Sequence, residues 1–302
     1  MPNLFFFVTL VKTIRVIIMK KILFPTDFSE TADNAFIYAL HFAKSVNADL
    51  YVLHTYDMPV ISSTSAGQPD LIQEVYNTIE FGHFDAYKEK VPQMREIAEQ
   101  HLLGDVNMTF IFEEGSLLYT IQRIIKDENI ELVVMGTNGK SGWDKKILGS
   151  NTSNVIRNVD IPILSVPFKA KFKRLERFGF ATLLKPSDRK GLRQIFNFTK
   201  GLNAEVKCLH ILRKENPEVE MLVKEWQNFF IDDKLEITTV LNRDLEQSVY
   251  YFIDEHLIDV MCIVKRQMGF FERLFSSSLS QKLSYHADVP VLVLQEGEKI
   301  DD

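Results

Sequence analysis

Cysteine is nearly absent: Cys208 and Cys262 are the only two in 302 residues. Both lie inside apolar runs that read as strands, so they are expected as reduced, buried thiols, and a disulfide scaffold is disfavoured. No Cys/His spacing of a zinc site occurs. Positive charge is also short, with 35 Lys and Arg against 41 Asp and Glu and a formal net charge of -6, which leaves no general basic field for wrapping nucleic acid. Long apolar runs are missing too. The stretch from Leu4 to Val11 is cut off by Lys12 and Arg15 before Val16-Ile17-Ile18. It is too short for a bilayer span and lacks the charge order and small residues of a secretory signal. The expected location is therefore cytoplasmic, with neither nucleic acid nor membrane as a partner. Met19-Lys20-Lys21 directly precedes the first convincing strand, so residues 1–18 read as an N-terminal extension and Met19 as the biological start.

What is present is ordinary for a globular chain, 46% hydrophobic and 25% charged, at a length that suits two domains. From Ile22 short apolar strands alternate with longer amphipathic segments, the pattern of consecutive βαβ units on a parallel sheet. The first strand is Ile22-Leu23-Phe24. Ser29 can cap the next helix, whose Ala32, Ala35, Phe36, Ala39, Leu40 and Ala43 recur at three and four and form one buried stripe. Strands follow at Leu50–His54, Met108–Phe112, Leu132–Met135 and Ile163–Val166. Between the second and third, a polar stretch from about Ser62 to Leu103 reads as a lid and a helix, with Pro69 marking a start and Pro92 a kink.

The order then repeats: Gly179–Leu184, a helix to about Lys200, Val206–His210, Leu235–Val240, Val260–Val264 and Val291–Leu294. Local sequence repeats with it. Asn47-Ala48 and Leu53-His54 parallel Asn203-Ala204 and Leu209-His210, and Asp160-Ile161-Pro162 parallels Asp288-Val289-Pro290. These matches indicate an internal duplication. The domains read as 19–168 and 178–296, joined by a basic linker at 169–177 and followed by a tail at 297–302.

In open α/β sheets ligands sit beyond the carboxyl ends of the strands, where strand order reverses. After the fourth strand comes Gly136-Thr137-Asn138-Gly139-Lys140, and then Gly149-Ser150-Asn151-Thr152. Gly136 and Gly139 permit positive φ and close backbone approach, Gly149 opens a helix at its amino end, and Ser150 and Thr152 offer hydroxyl donors. A Walker A loop does not fit, because Val134 stands where that loop needs glycine. The dinucleotide fingerprint fails because Pro25-Thr26-Asp27-Phe28-Ser29 follows the first strand. The lysines Lys140, Lys145 and Lys146 read as solvated.

Phe24-Pro25-Thr26-Asp27-Phe28-Ser29-Glu30, together with glycines at 136, 139 and 149 followed by Ser150, resembles the ATP-binding branch of the universal stress protein family. The resemblance runs from Met19 onward as a tandem pair. It implies two Rossmann-like α/β domains of the adenine nucleotide alpha hydrolase type, each a five-stranded parallel sheet of order 3-2-1-4-5. It also implies ATP, with or without Mg2+, lying across strands one and four of the first. Asp27 would sit beside the adenosine, Thr55 would meet adenine through its backbone, and Gly136, Thr137 and Gly139 would flank ribose and phosphates. Gly149, Ser150, Asn151 and Thr152 would grip the phosphates, with Pro25, Thr26 and Met135 completing the binding set.

The second copy departs from this pattern: Leu183 stands where Asp27 stood, and the loop after Val264 has lost two glycines and two residues. Ser276-Ser277-Ser278 could still face an anion, and Phe270, Phe271, Leu274 and Phe275 are either packing or a contact surface. The second domain is expected to be structural or to bind a protein partner. No base, nucleophile or metal-binding acidic pair can be assigned around Gly136 to Ser153, so no catalytic residue is named. Three readings stay open: a nucleotide-dependent stress-response regulator, a slow ATPase, and an interaction scaffold without nucleotide. The chain would be a monomeric pseudo-dimer or a homodimer.

Overall fold

The computed structural model describes residues 19–58, 69–137, 149–267 and 289–295. The first half runs β1 (Lys21–Pro25), α1 (Glu30–Val46), β2 (Asp49–Tyr56), α2 (Pro69–Gln100), β3 (Met108–Glu114), α3 (Leu117–Glu128), β4 (Leu132–Gly136), α4 (Ser150–Asn158) and β5 (Ile163–Val166). The second half repeats it with β6 (Arg177–Ala181), α5 (Pro186–Lys200), β7 (Glu205–Leu212), α6 (Val219–Phe229), β8 (Glu236–Leu241), α7 (Leu245–Glu255), β9 (Val260–Val264) and β10 (Val291–Leu294). The ten strands of the described residues form one sheet of order β3-β2-β1-β4-β5-β10-β9-β6-β7-β8. Each half therefore has the expected order 3-2-1-4-5, and within each half the pairing is parallel. The halves meet where β5 pairs antiparallel with β10, Leu164 opposite Leu292.

Period-two alternation sends Ile22, Phe24, Leu50 and Val52 to one face of the sheet and Leu23, Tyr51, Leu53 and Val133 to the other. The first face is covered by α1, whose apolar stripe is buried at every position expected of it, from Ala32 to Ala43. Each large side chain hidden this way contributes about 1.5–3 kcal/mol. The same face carries the contact between the halves. Phe42 of α1 and Phe198 of α5 occupy equivalent places in the two copies, and their rings stack with centroids 5.2 Å apart. Cys208 and Cys262 are free and fully buried on strands, and burial pushes both thiols up.

Pro92 falls inside α2, which continues past it to Gln100. Pro92 lies on the exposed face, where water can satisfy the carbonyl one turn earlier that loses its donor. The strand read as Gly179–Leu184 ends at Ala181, because Leu184 takes a left-handed φ of 54° that turns the chain into α5. Arg177, counted with the linker, is the first residue of β6. The lid region before Pro69, residues 1–18, and Phe270, Phe271, Leu274, Phe275 and Ser276–Ser278 lie outside the described residues. No described helix is long and apolar enough to cross a membrane.

Candidate functional site

From β1 the chain passes to β2 on one side, while β4 lies on the other, so strand order reverses between β1 and β4. That is the crevice where open α/β sheets hold ligands. The two strands pair through Ile22 with Leu132 and Leu23 with Val133. Their carboxyl ends therefore emerge side by side, delivering Pro25, Thr26 and Asp27 next to Met135, Gly136 and Thr137. The neighbouring β2 brings Thr55, held in register because the Thr26 N–H donates to the Leu53 carbonyl at 2.8 Å. The amino end of α4 is tied to the same edge: the Gly149 N–H donates to the Thr137 carbonyl, and the Thr152 hydroxyl donates to the Gly136 carbonyl at 2.8 Å. All the expected site residues except Gly139 thus gather at one edge of the sheet. Gly139 lies outside the described residues.

The turn from β1 into α1 is built by short-range polar contacts. Phe28 takes φ 56°, and its N–H donates to Thr26 Oγ1 at 3.0 Å. Asp27 Oδ1 accepts from the Ser29 N–H at 3.0 Å and from the Ser29 hydroxyl at 2.6 Å, and Ser29 Oγ in turn accepts from the Ala32 N–H. Ser29 is the helix cap, as its position predicts, and Asp27 holds the cap in place while staying partly accessible. His54 completes the brace, its Nδ1 lying 2.8 Å from the Thr26 carbonyl. Reading single motifs misses His54 as a site residue. The signal was the repeated Leu-His pair, since His210 Nδ1 meets the Thr182 carbonyl at 3.0 Å in the second copy.

Two details of the phosphate reading need correction. Gly136 ends β4 in strand conformation opposite Val166, so it does not use the left-handed freedom of glycine, and Gly149 opens α4 as expected, with φ -59°. Their value is the missing side chain, which bares the backbone at the crevice. Nor is the Thr152 hydroxyl free for a ligand. It is buried and spent on the Gly136 carbonyl, fixing α4 to the end of β4. What α4 does offer is backbone. Its first intrahelical bond runs from the Ser153 N–H to the Gly149 carbonyl, which leaves the N–H groups of Ser150, Asn151 and Thr152 directed outward with the positive end of the helix dipole. Ser150 and Asn151 are exposed, and this geometry suits an anion.

The second copy keeps the scaffold and carries other side chains at the strand ends. The Thr182 N–H donates to the Leu209 carbonyl at 2.9 Å, and the Leu184 N–H donates to Thr182 Oγ1 at 2.9 Å, repeating the contacts of Thr26 and Phe28. Register then places Leu183 at Asp27, Val264 at Gly136 and Lys265 at Thr137. Fully buried Asp188, in the first turn of α5, accepts from the Leu183 N–H and the Thr182 hydroxyl, both at 2.9 Å. Arg266, just past the end of β9, pairs with the same carboxylate. An internal ion pair thus bridges the ends of β6 and β9, the two strands that correspond to β1 and β4.

Among the described residues, no group of three or more His, Cys, Asp or Glu side chains gathers as a metal site. Residues 19–167 match the model of the universal stress protein family. Two universal stress proteins of Methanocaldococcus jannaschii are each 29% identical to this chain. One matches over 148 residues, 49% of this chain and 81% of the relative, and the other over 163 residues, 51% and 98%. A universal stress protein from Archaeoglobus fulgidus shares the fold of nearly the whole molecule, with a TM-score of 0.63 and 18% identity over 93% of this chain and 97% of that one. The first half of the chain, residues 19–167, belongs to the universal stress protein family, and the second half repeats its sheet order.

Proposed function

We propose that the first half binds ATP across the ends of β1 and β4 and that the chain acts as a nucleotide-dependent regulator of a stress response through a protein partner. The observation that carries this reading is the meeting of Thr26-Asp27 and Gly136-Thr137 with the outward N–H groups at the amino end of α4, Ser150–Thr152, at the point of strand reversal. In this reading the outward N–H groups of α4 and the loop containing Gly139 take the phosphates. Asp27 accepts from the ribose hydroxyls, while Thr55 offers backbone to the base and Pro25 and Met135 line the floor. Magnesium arrives with the triphosphate as its counter-ion. In this reading occupancy rather than turnover is the signal, since a ligand shifts a protein only by binding its states unequally.

Gly149→Asp tests the phosphate cradle without endangering the fold. The φ and ψ of Gly149, -59° and 154°, suit an aspartate N-cap, which stabilises a helix by roughly a few tenths of a kcal/mol over glycine there. The same carboxylate would occupy and repel the phosphate position. Calorimetry with ATP and magnesium should show binding by the native chain and none by the variant, whose melting temperature should hold or rise. Equal binding by both would remove the α4 amino end from the site.

A further inference from the structure

The two copies differ in one place that the nucleotide reading leaves unused. In the first half, the far end of β2 and β3 is packed with rings on the α2 side. Tyr56 stacks on Phe112 with centroids 4.5 Å apart and planes 13° off parallel, and α2 adds His83 at 5.0 Å from Tyr56 and Tyr87 at 4.8 Å from Phe112. Register identifies the counterparts in the second half. His54 pairs with Phe112 as His210 pairs with Thr239, and Tyr56 and Leu212 each lie two residues further on. Leu212 therefore stands for Tyr56 and Thr239 for Phe112. The covering helix shrinks from the 32 residues of α2 to the 11 of α6.

The rings removed are not replaced. A solvent-open cleft of about 500 Å³ lies there, bounded by Leu212, Thr239 and Leu241 on the strands and Val219 and Val223 on α6. Its volume lies within the range of small-molecule sites, roughly 300–1,000 Å³, and it sits at the carboxyl edge of a parallel sheet. The rim carries Glu215 and Glu220 against a single Lys224, which favours a ligand with positive charge. We propose that this cleft binds a small planar aromatic molecule bearing an ammonium group. Its ring takes the space that the first copy fills with Tyr56 and Phe112, flat between the β7–β8 surface and α6, and its charge lies at the Glu215 and Glu220 rim. The inference rests on the comparison of the two copies and is independent of nucleotide binding in the first half.

Methyl-labelled full-length protein provides the test, with tryptamine as the aromatic amine and indole-3-acetate as its anionic counterpart. Millimolar tryptamine should shift the methyl resonances of Leu212, Val219, Val223 and Leu241 in a saturable way, and indole-3-acetate should bind at least several-fold more weakly. Restoring the rings of the first copy with Leu212→Tyr and Thr239→Phe should abolish the shifts of Val219 and Val223 while the melting temperature holds or rises. Absence of saturable shifts in the native chain would overturn the site. Equal response to the two probes would overturn the charge assignment, and undiminished binding by a folded double variant would place the ligand elsewhere.

Discussion

Asp27 and Asp188 show how a carboxylate near the end of one strand can serve two purposes. Asp27 stays partly accessible and spends one oxygen on the Ser29 amide and hydroxyl, steadying the α1 cap. Asp27→Ala should cost about 1 kcal/mol of stability through the weakened cap, while the lost charged hydrogen bonds to ribose, about 1.5–3 kcal/mol, should weaken ATP binding ten- to hundredfold in calorimetry. An affinity change no larger than the stability change would mean that Asp27 only shapes the turn. Asp188 is fully buried, carries the Leu183 amide and Thr182 hydroxyl, and is balanced by Arg266. Asp188→Ala strands a largely buried guanidinium together with two donors, so urea unfolding should report a loss of about 3–5 kcal/mol. A loss under 1 kcal/mol would show that Arg266 finds water instead.

At the level of single elements, the second copy achieves its packing with different volumes. Gly179 on β6 lies where Leu23 lies on β1, and a methyl group added there would come within 2.8 Å of Met261 Sδ, 3.0 Å of Phe252 and 3.1 Å of Ile258. Gly179→Ala should therefore destabilise by about 1–3 kcal/mol through overpacking, despite the higher strand propensity of alanine. A stabilised variant in thermal melts would show that the Met261 side chain yields freely. Such exchanges explain what the sequence could reveal. Apolar runs and Asn-Ala and Leu-His repeats mark the strands because period and turn chemistry are local, and the glycine spacing marks the crevice because bare backbone is needed there. The Arg266–Asp188 pair was not legible. The two residues are far apart in the chain, and an aspartate in the first turn of a helix reads simply as a complement to the dipole. The Tyr56–Phe112 stack was equally hidden, since it depends on the register between β2 and β3.

Across the whole molecule, duplication turns two fifth-strand edges into a single internal seam. β5 and β10 pair through Ser165–Val291, Leu164–Leu292 and Ile163–Val293, with Phe42 and Phe198 stacked beside them. Further ties run from one half to the other: Gln295 Nε2 donates to the Val159 carbonyl at 2.7 Å and the Ile161 carbonyl at 3.1 Å, and Lys265 Nζ reaches Val159 as well. Val159 caps the carboxyl end of α4, so the second half grips the helix whose amino end belongs to the proposed nucleotide site. In the proposed reading one half receives the ligand and the other supports it. Titration of the full chain with ATP should therefore saturate at one nucleotide per chain, and Arg266→Met with Asp188→Leu should not create a second site, because Leu183 and Val264 still replace Asp27 and Gly136. Saturation at two per chain in the native protein would mean that the Arg266–Asp188 pair opens to admit phosphate and that the two crevices are functionally alike.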